Sequence, residues 1–114
     1  MQDCIFCRIA NKTIPANIVY EDELVVAFHD VSPVAPVHVL IIPRQHIPTM
    51  LELTEEDINL VGHIHLVASR IAQQLGLGEK GFRLVSNCKE DGGQTVFHLH
   101  FHLLGGKQFQ WPPG

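Results

Sequence analysis

Histidine at every second position in His98-Leu99-His100-Phe101-His102 constrains this chain more than any other feature. A period of two is that of a β-strand, so the three imidazoles line one face while Leu99 and Phe101 point to the other. Neighbouring imidazoles then stand about 6.5–7 Å apart at Cα, so adjacent rings can interact but the outer two cannot easily meet. A core would be better filled by valine, and a wetted face by Thr, Lys or Glu. Three imidazoles in line concentrate acid–base and metal-binding capacity instead. Gly92-Gly93-Gln94-Thr95 before the run and Gly105-Gly106 after it bound the strand and admit close neighbours.

The rest of the pattern predicts a single α+β domain over residues 1–114. A short helical turn is expected over Ile5 to Ala10. Ile18-Val19-Tyr20-Glu21 and Leu24-Val25-Val26-Ala27-Phe28 read as a hairpin, and Val37 to Ile42 as a third strand after Ser32-Pro33 and Ala35-Pro36. Thr54 with Asp57 three residues on is a capping box opening a helix that runs to about Leu75, where Gly76 and Gly78 end it. Ile58, Val61, Ile64, Ile71 and Leu75 supply its apolar stripe. Phe82 to Asn87 and Val96 to Leu104 complete five strands, which short turns would join as an antiparallel meander with the long helix on one face.

At 114 residues the chain suffices for one core but would gain from burial in an oligomer. A net charge of −4 without a basic run argues against a nucleic-acid surface. Val37 to Pro43, the longest apolar stretch, is far too short to span a bilayer. Met1-Gln2-Asp3 lacks the basic start of a leader peptide, and three cysteines, an odd number, suit a reducing compartment. A cytoplasmic protein is expected.

His98-Leu99-His100-Phe101-His102-Leu103-Leu104 resembles the signature of the histidine-triad family. Ile5-Phe6-Cys7, Ala27-Phe28-His29-Asp30-Val31-Ser32-Pro33, His38-Val39-Leu40-Ile41-Ile42-Pro43 and Gly105 to Gly114 are similar to its Hint branch of nucleotide-binding hydrolases. The resemblance implies that two protomers join their sheets into one, with the Gln110–Gly114 tail near the partner's site, where it influences the choice of leaving group. It also implies a purine nucleoside monophosphate ligand.

By that resemblance His100 is a nucleophile toward phosphorus, forming a covalent nucleotidyl-histidine. His102 contacts the phosphate, and His38 orients or tunes the nucleophile. Gly93, Gln94 and Thr95 contact the α-phosphate, in place of a phosphate-binding glycine loop of the usual kind. Asn87 is a phosphate- or ribose-side contact, although alone it reads as a turn residue. Asp30 accepts from ribose hydroxyls, although alone it reads as a turn cap. Ile5, Phe6, Ile9, Phe28, Val31 and Leu40 clamp the base, although without the resemblance each reads as core. No cofactor is required for this chemistry.

Cys4-Ile5-Phe6-Cys7 alone is compatible with zinc, redox chemistry or chance, and a thioredoxin-like context is absent. Zinc-bearing members of the superfamily add the first triad histidine and a histidine after the third strand, here His98 and His46. Cys4, Cys7, His46 and His98 would make a closed, structural Zn²⁺ site. His63 and His65 are expected at the surface, and Cys88 as a small buried hydrophobe. The leading function is hydrolysis of nucleoside monophosphate amidates or esters. Competing with it are a nucleotide-binding sensor or scaffold, and a catalytic metal centre on the His-x-His pair.

Overall fold

Five short runs rich in β-branched and aromatic residues pair into one antiparallel sheet in the computed structural model, which describes residues 3–114. The strands are β1 (Ile18–Glu21), β2 (Val25–His29), β3 (Val37–Pro43), β4 (Phe82–Val85) and β5 (Phe101–Gly105). The helices are α1 (Ile5–Ala10), α2 (Ile58–Gln74) and the single turn α3 (Lys89–Gly92). Met1 and Gln2, on which the expectation of no leader rests in part, lie outside the described residues.

The expected α+β class, long helix and short N-terminal helix are all present. The meander is only half right, because the strand order is β1-β2-β3-β5-β4. β5 inserts between β3 and β4, so the strand that carries His102 is paired on both sides. The register sets Phe28, Leu40, His102 and Val85 in one row across the sheet, and His38, Leu104 and Arg83 in the next. Each row lies on one face.

That face is covered by α1, whose Phe6, Ile9 and Ala10 pack on Val26, Phe28, Leu40 and Ile42. The opposite face packs Val25, Ala27, Val39, Ile41, Leu99, Phe101 and Leu103 against α2. The helix buries Ile64, Val67, Ala68, Ile71 and Ala72, steps of three and four that keep to one side. Ile58, expected in that stripe, is 67% exposed. It precedes Ile64 by six residues and so points roughly 120° away. The capping box at Thr54 does form: its hydroxyl accepts from Glu56 N, and Asp57 Oδ2 accepts from Thr54 N at 2.9 Å.

Two strands are shorter than expected. β4 stops at Val85, and β5 begins at Phe101 instead of Val96. Before Phe101 the chain is held by contacts outside the ladder, including Leu99 N donating to Ile47 O at 2.6 Å. Cys88 is half-buried rather than fully buried, since the α3 turn carries it toward the surface. Among the described residues no helix is long and apolar enough to cross a membrane.

Candidate functional site

The alternation of residues 98–104 survives the late start of β5. Leu99, Phe101 and Leu103 are buried on the α2 side, while His98 and His100 are buried on the other. Each imidazole has a separate set of partners, and these partners fix which ring nitrogen carries the proton.

His100 directs Nδ1 at the carbonyl oxygen of His98, 2.7 Å away. A carbonyl only accepts, so Nδ1 carries the hydrogen and Nε2 keeps a free lone pair. Phe6 stands edge-on to this ring at 5.1 Å and 82°, which fixes the plane of the imidazole.

His38 and His102 form a second unit. Val34 N donates to His38 Nδ1 at 3.1 Å, so the proton of His38 resides on Nε2. That N–H faces His102 Nδ1 at 2.9 Å, leaving His102 with its own hydrogen on Nε2. Asp30 Oδ2 lies 3.4 Å from His38 Nε2, while Asp30 Oδ1 accepts from Ser32 N in the turn. Burial and the neighbouring His100 and His38 hold the His102 pKa down at about 4. Burial likewise lowers that of His38, against the raising influence of Asp30. Both rings are neutral at pH 7. His38, expected to tune the nucleophile, bonds His102 and reaches His100 only through the His102 ring, 5.0 Å from it.

Asp30, His38 and His102 bring ligand atoms within 4.8 Å of one another. The Val34 amide nevertheless keeps the hydrogen of His38 on the nitrogen that faces the group, so His38 offers it no lone pair. The catalytic-metal alternative is disfavoured by that donor direction.

The Cys/His cluster is better formed. Cys4 Sγ lies 3.3 Å from His98 Nδ1, and Cys7 Sγ lies 3.3 Å from His46 Nδ1 and 3.5 Å from His98 Nδ1. A tetrahedral zinc with ordinary bonds to sulfur and nitrogen separates such atoms by ~3.5 Å. His98 Nε2 donates to Pro43 O at 2.8 Å, turning the unprotonated Nδ1 toward the two sulfurs. Burial and the adjacent Cys4 thiol push the Cys7 pKa up, a penalty that a bound cation reverses. These four residues fit a metal ion.

The Asn87–Thr95 loop differs from its expected use. Gln94 is buried, and its amide is already occupied: Nε2 donates to Pro48 O and Val96 O, and Oε1 accepts from Lys89 N. The main-chain amides of Gly93 and Gln94 bond Glu90 O and Lys89 O. Gln94 is therefore a staple of the loop, and its side chain is not a spare donor. Asn87 Nδ2 donates to Gly92 O at 2.6 Å, and Gly93 sits at φ +82°, where glycine alone is unstrained. Thr95 is exposed.

Of the apolar set, Phe6, Ile9, Phe28 and Leu40 form a buried layer beside His100 and His102, while Ile5 and Val31 are exposed at 49% and 97%. His63 proves to be a partner of Asp22 at 2.6 Å, and His65 is exposed. Two contributors were missed at sequence level, the Val34 amide and the Pro43 carbonyl. Both act through the main chain, which leaves no mark on residue type.

A row of tautomer-fixed imidazoles on and just before β5, beside a thiol–imidazole cluster, defines an α+β domain of the histidine-triad kind. The chain belongs to the HIT family: the HIT domain model matches residues 11–109. An uncharacterized HIT-like protein of Synechocystis is 54% identical over 113 residues, covering 99% of this chain and 98% of that one. Among solved structures, a HIT family hydrolase from Legionella pneumophila superposes with TM-score 0.96 at 49% identity, covering 98% of this chain and 100% of that one. A histidine triad protein from Clostridium difficile gives TM-score 0.94 at 46% identity and 96% coverage of each chain.

Proposed function

We propose that the protein is a Hint-like nucleotidyl hydrolase that cleaves purine nucleoside phosphoramidates through a covalent nucleotidyl-histidine at His100. One observation carries this reading: the His98 carbonyl holds the hydrogen of His100 on Nδ1, which leaves Nε2 free to attack. The base lies on the Phe6–Phe28–Leu40 layer between Ile5 and Val31, with Ile9 beneath. Asp30 Oδ2 takes the ribose hydroxyls. The His102 Nε2–H and the exposed Thr95 face the phosphate oxygens, and Asn87, Gly93 and Gln94 shape the loop around them.

The Nε2 lone pair of His100 forms a bond to phosphorus as the P–N bond of the substrate breaks. Its electron pair leaves on nitrogen, which enters protonated and departs as a neutral amine. Water then attacks phosphorus and loses a proton to solvent. The P–Nε2 bond breaks, its pair returns to His100, and a nucleoside monophosphate is released.

In the same reading Cys4, Cys7, His46 and His98 hold a structural Zn²⁺. Bound zinc supplies a cross-link between α1, the segment after β3 and the triad segment, and the chemistry needs no cofactor. The protein works as a homodimer, covering the open edge of β4, in the cytoplasm, where its thiols stay reduced.

Acid quench during turnover of adenosine 5′-phosphoramidate, followed by peptide mass analysis, tests the mechanism. A nucleotidyl adduct on the peptide containing His100 is expected. Turnover with the adduct on another residue overturns the assignment, and tight binding without turnover favours a sensor.

A further inference from the structure

Two sulfurs stand at the first turn of α1, in unlike surroundings. Cys4 is the N-cap of the helix and half-buried, whereas Cys7 lies one turn on and is buried. The Cys7 amide donates to Cys4 Sγ at 3.4 Å, which holds the Cys4 sulfur over the turn that carries Cys7. The two sulfurs and one ring nitrogen each of His46 and His98 all lie within 4.8 Å of one another. All three cysteines are free thiols, and the third, Cys88, opens α3 outside this group.

The pair is tied to the imidazole row by two short routes. His98 turns Nδ1 to both sulfurs while its carbonyl oxygen accepts from His100. Phe6, between the cysteines in sequence, stands edge-on to the His98 and His100 rings. A change of bonding at the sulfurs thus reaches His100 through a single intervening residue on either route.

We propose that Cys4 and Cys7 are a peroxide-reactive dithiol, reduced at rest, and that their reversible disulfide is an oxidative off-switch for the imidazole row. Cys4 is the attacking sulfur because solvent reaches it, and Cys7 is the resolving one because it is buried within reach. Cys4 Sγ attacks one oxygen of hydrogen peroxide, the O–O bond breaks, and Cys4 becomes a sulfenic acid as water leaves. Cys7 Sγ then bonds Cys4 Sγ, the S–O bond breaks, and a second water carries off the remaining oxygen. The sulfurs lose two electrons, the peroxide gains them, and the thiol protons end on the departing oxygens. Where zinc holds the sulfurs as thiolates, solvent supplies those protons.

A disulfide sulfur has no charge to give a cation, so oxidation and metal binding exclude one another. A bridge from Cys4 to Cys7 closes too short a loop to restore the lost stability. The tie between α1, His46 and His98 is then broken, and the His98 carbonyl no longer steadies His100. Turnover falls as a result, a consequence that rests on the hydrolase reading above.

In the test, the protein as purified is treated with a series of hydrogen peroxide doses, blocked with a maleimide and digested with trypsin. The peptide ending at Arg8 holds both sulfurs, and Cys88 lies on another. The first should become unlabelled and two hydrogens lighter. Zinc should appear in solution in step with that peptide, and the melting temperature should fall by roughly 10 °C. Hydrolysis of adenosine 5′-phosphoramidate should slow about tenfold, and dithiothreitol with zinc should restore all three. In Cys7→Ser, dimedone should trap Cys4 as its sulfenic acid, and in Cys4→Ser it should leave Cys7 bare; the reverse pattern overturns the order of attack. Maleimide on Cys4 and Cys7 at doses that oxidise Cys88 overturns the proposal, as does over-oxidation of the pair without a bridge. So does a bridged protein that melts and turns over like the reduced one. Failure of the reduced protein to cleave the phosphoramidate sinks the hydrolase reading alone, and the mass and melting measurements then decide the switch.

Discussion

The carbonyl oxygen of His98 lies 2.7 Å from Nδ1 of His100, while the ring of the same His98 faces Cys4 Sγ at 3.3 Å. One residue thus belongs to two sites, its side chain to the thiol–imidazole cluster and its main chain to the hydrogen bond that orients His100. Phe6 links them as well, edge-on to both rings at 5.9 and 5.1 Å.

Metal loss should therefore loosen the nucleophile without abolishing it. Elemental analysis should find one zinc per chain, and a strong chelator should lower the melting temperature by roughly 10 °C or more. Cys4→Ser and Cys7→Ser should melt earlier yet retain measurable hydrolysis. A zinc-free preparation with a melting curve indifferent to chelator and added metal would leave the two thiols without this role.

His100→Ala removes the nitrogen proposed to attack phosphorus but keeps the apolar layer and Asp30. Turnover should fall by about 10³-fold or more while nucleotide affinity, read by calorimetry, changes little. Activity within tenfold of the parent would exclude His100 as nucleophile.

The His102 pKa of about 4 has a sign that can be checked. Between about pH 6.5 and 4 the unfolded chain binds a proton at this residue and the folded chain does not. Stability contributed here is present above the unfolded value and is lost as the pH falls through that window. Denaturant midpoints of the parent and His102→Asn, measured from pH 7.5 to 4, should converge as acid is added. Parallel curves would remove His102 from the linkage.

Gln94→Ala should act on folding before it acts on substrate. It deprives Lys89 N, Pro48 O and Val96 O of a buried partner, a loss of about 1–3 kcal/mol. A variant of unchanged stability with a raised KM would instead make the amide a phosphate contact.

The local grammar of the chain was legible where one residue decides. The capping box at Thr54, the period-two run at His98 and the four cluster residues all came from residue type, spacing and resemblance. Strand order was not, because nothing local tells β5 to pair with both β3 and β4. Residues 96–100 carry β-forming side chains, yet they are held by Ile47 O and the Gln94 amide and stay outside the ladder. The partner of His38 was hidden for a related reason, since cross-strand register alone brings it to His102.

Gly105 shows how little latitude the end of the triad segment has. A methyl group there would fall 2.5 Å from Leu77 Cδ1, in the contact that seats the segment after α2 on the sheet. Upstream, each residue from His98 to Leu103 is committed either to the core or to the site face, so a single deletion there would exchange the two sets. A residue exchanged in this stretch therefore has to match its predecessor in both size and polarity.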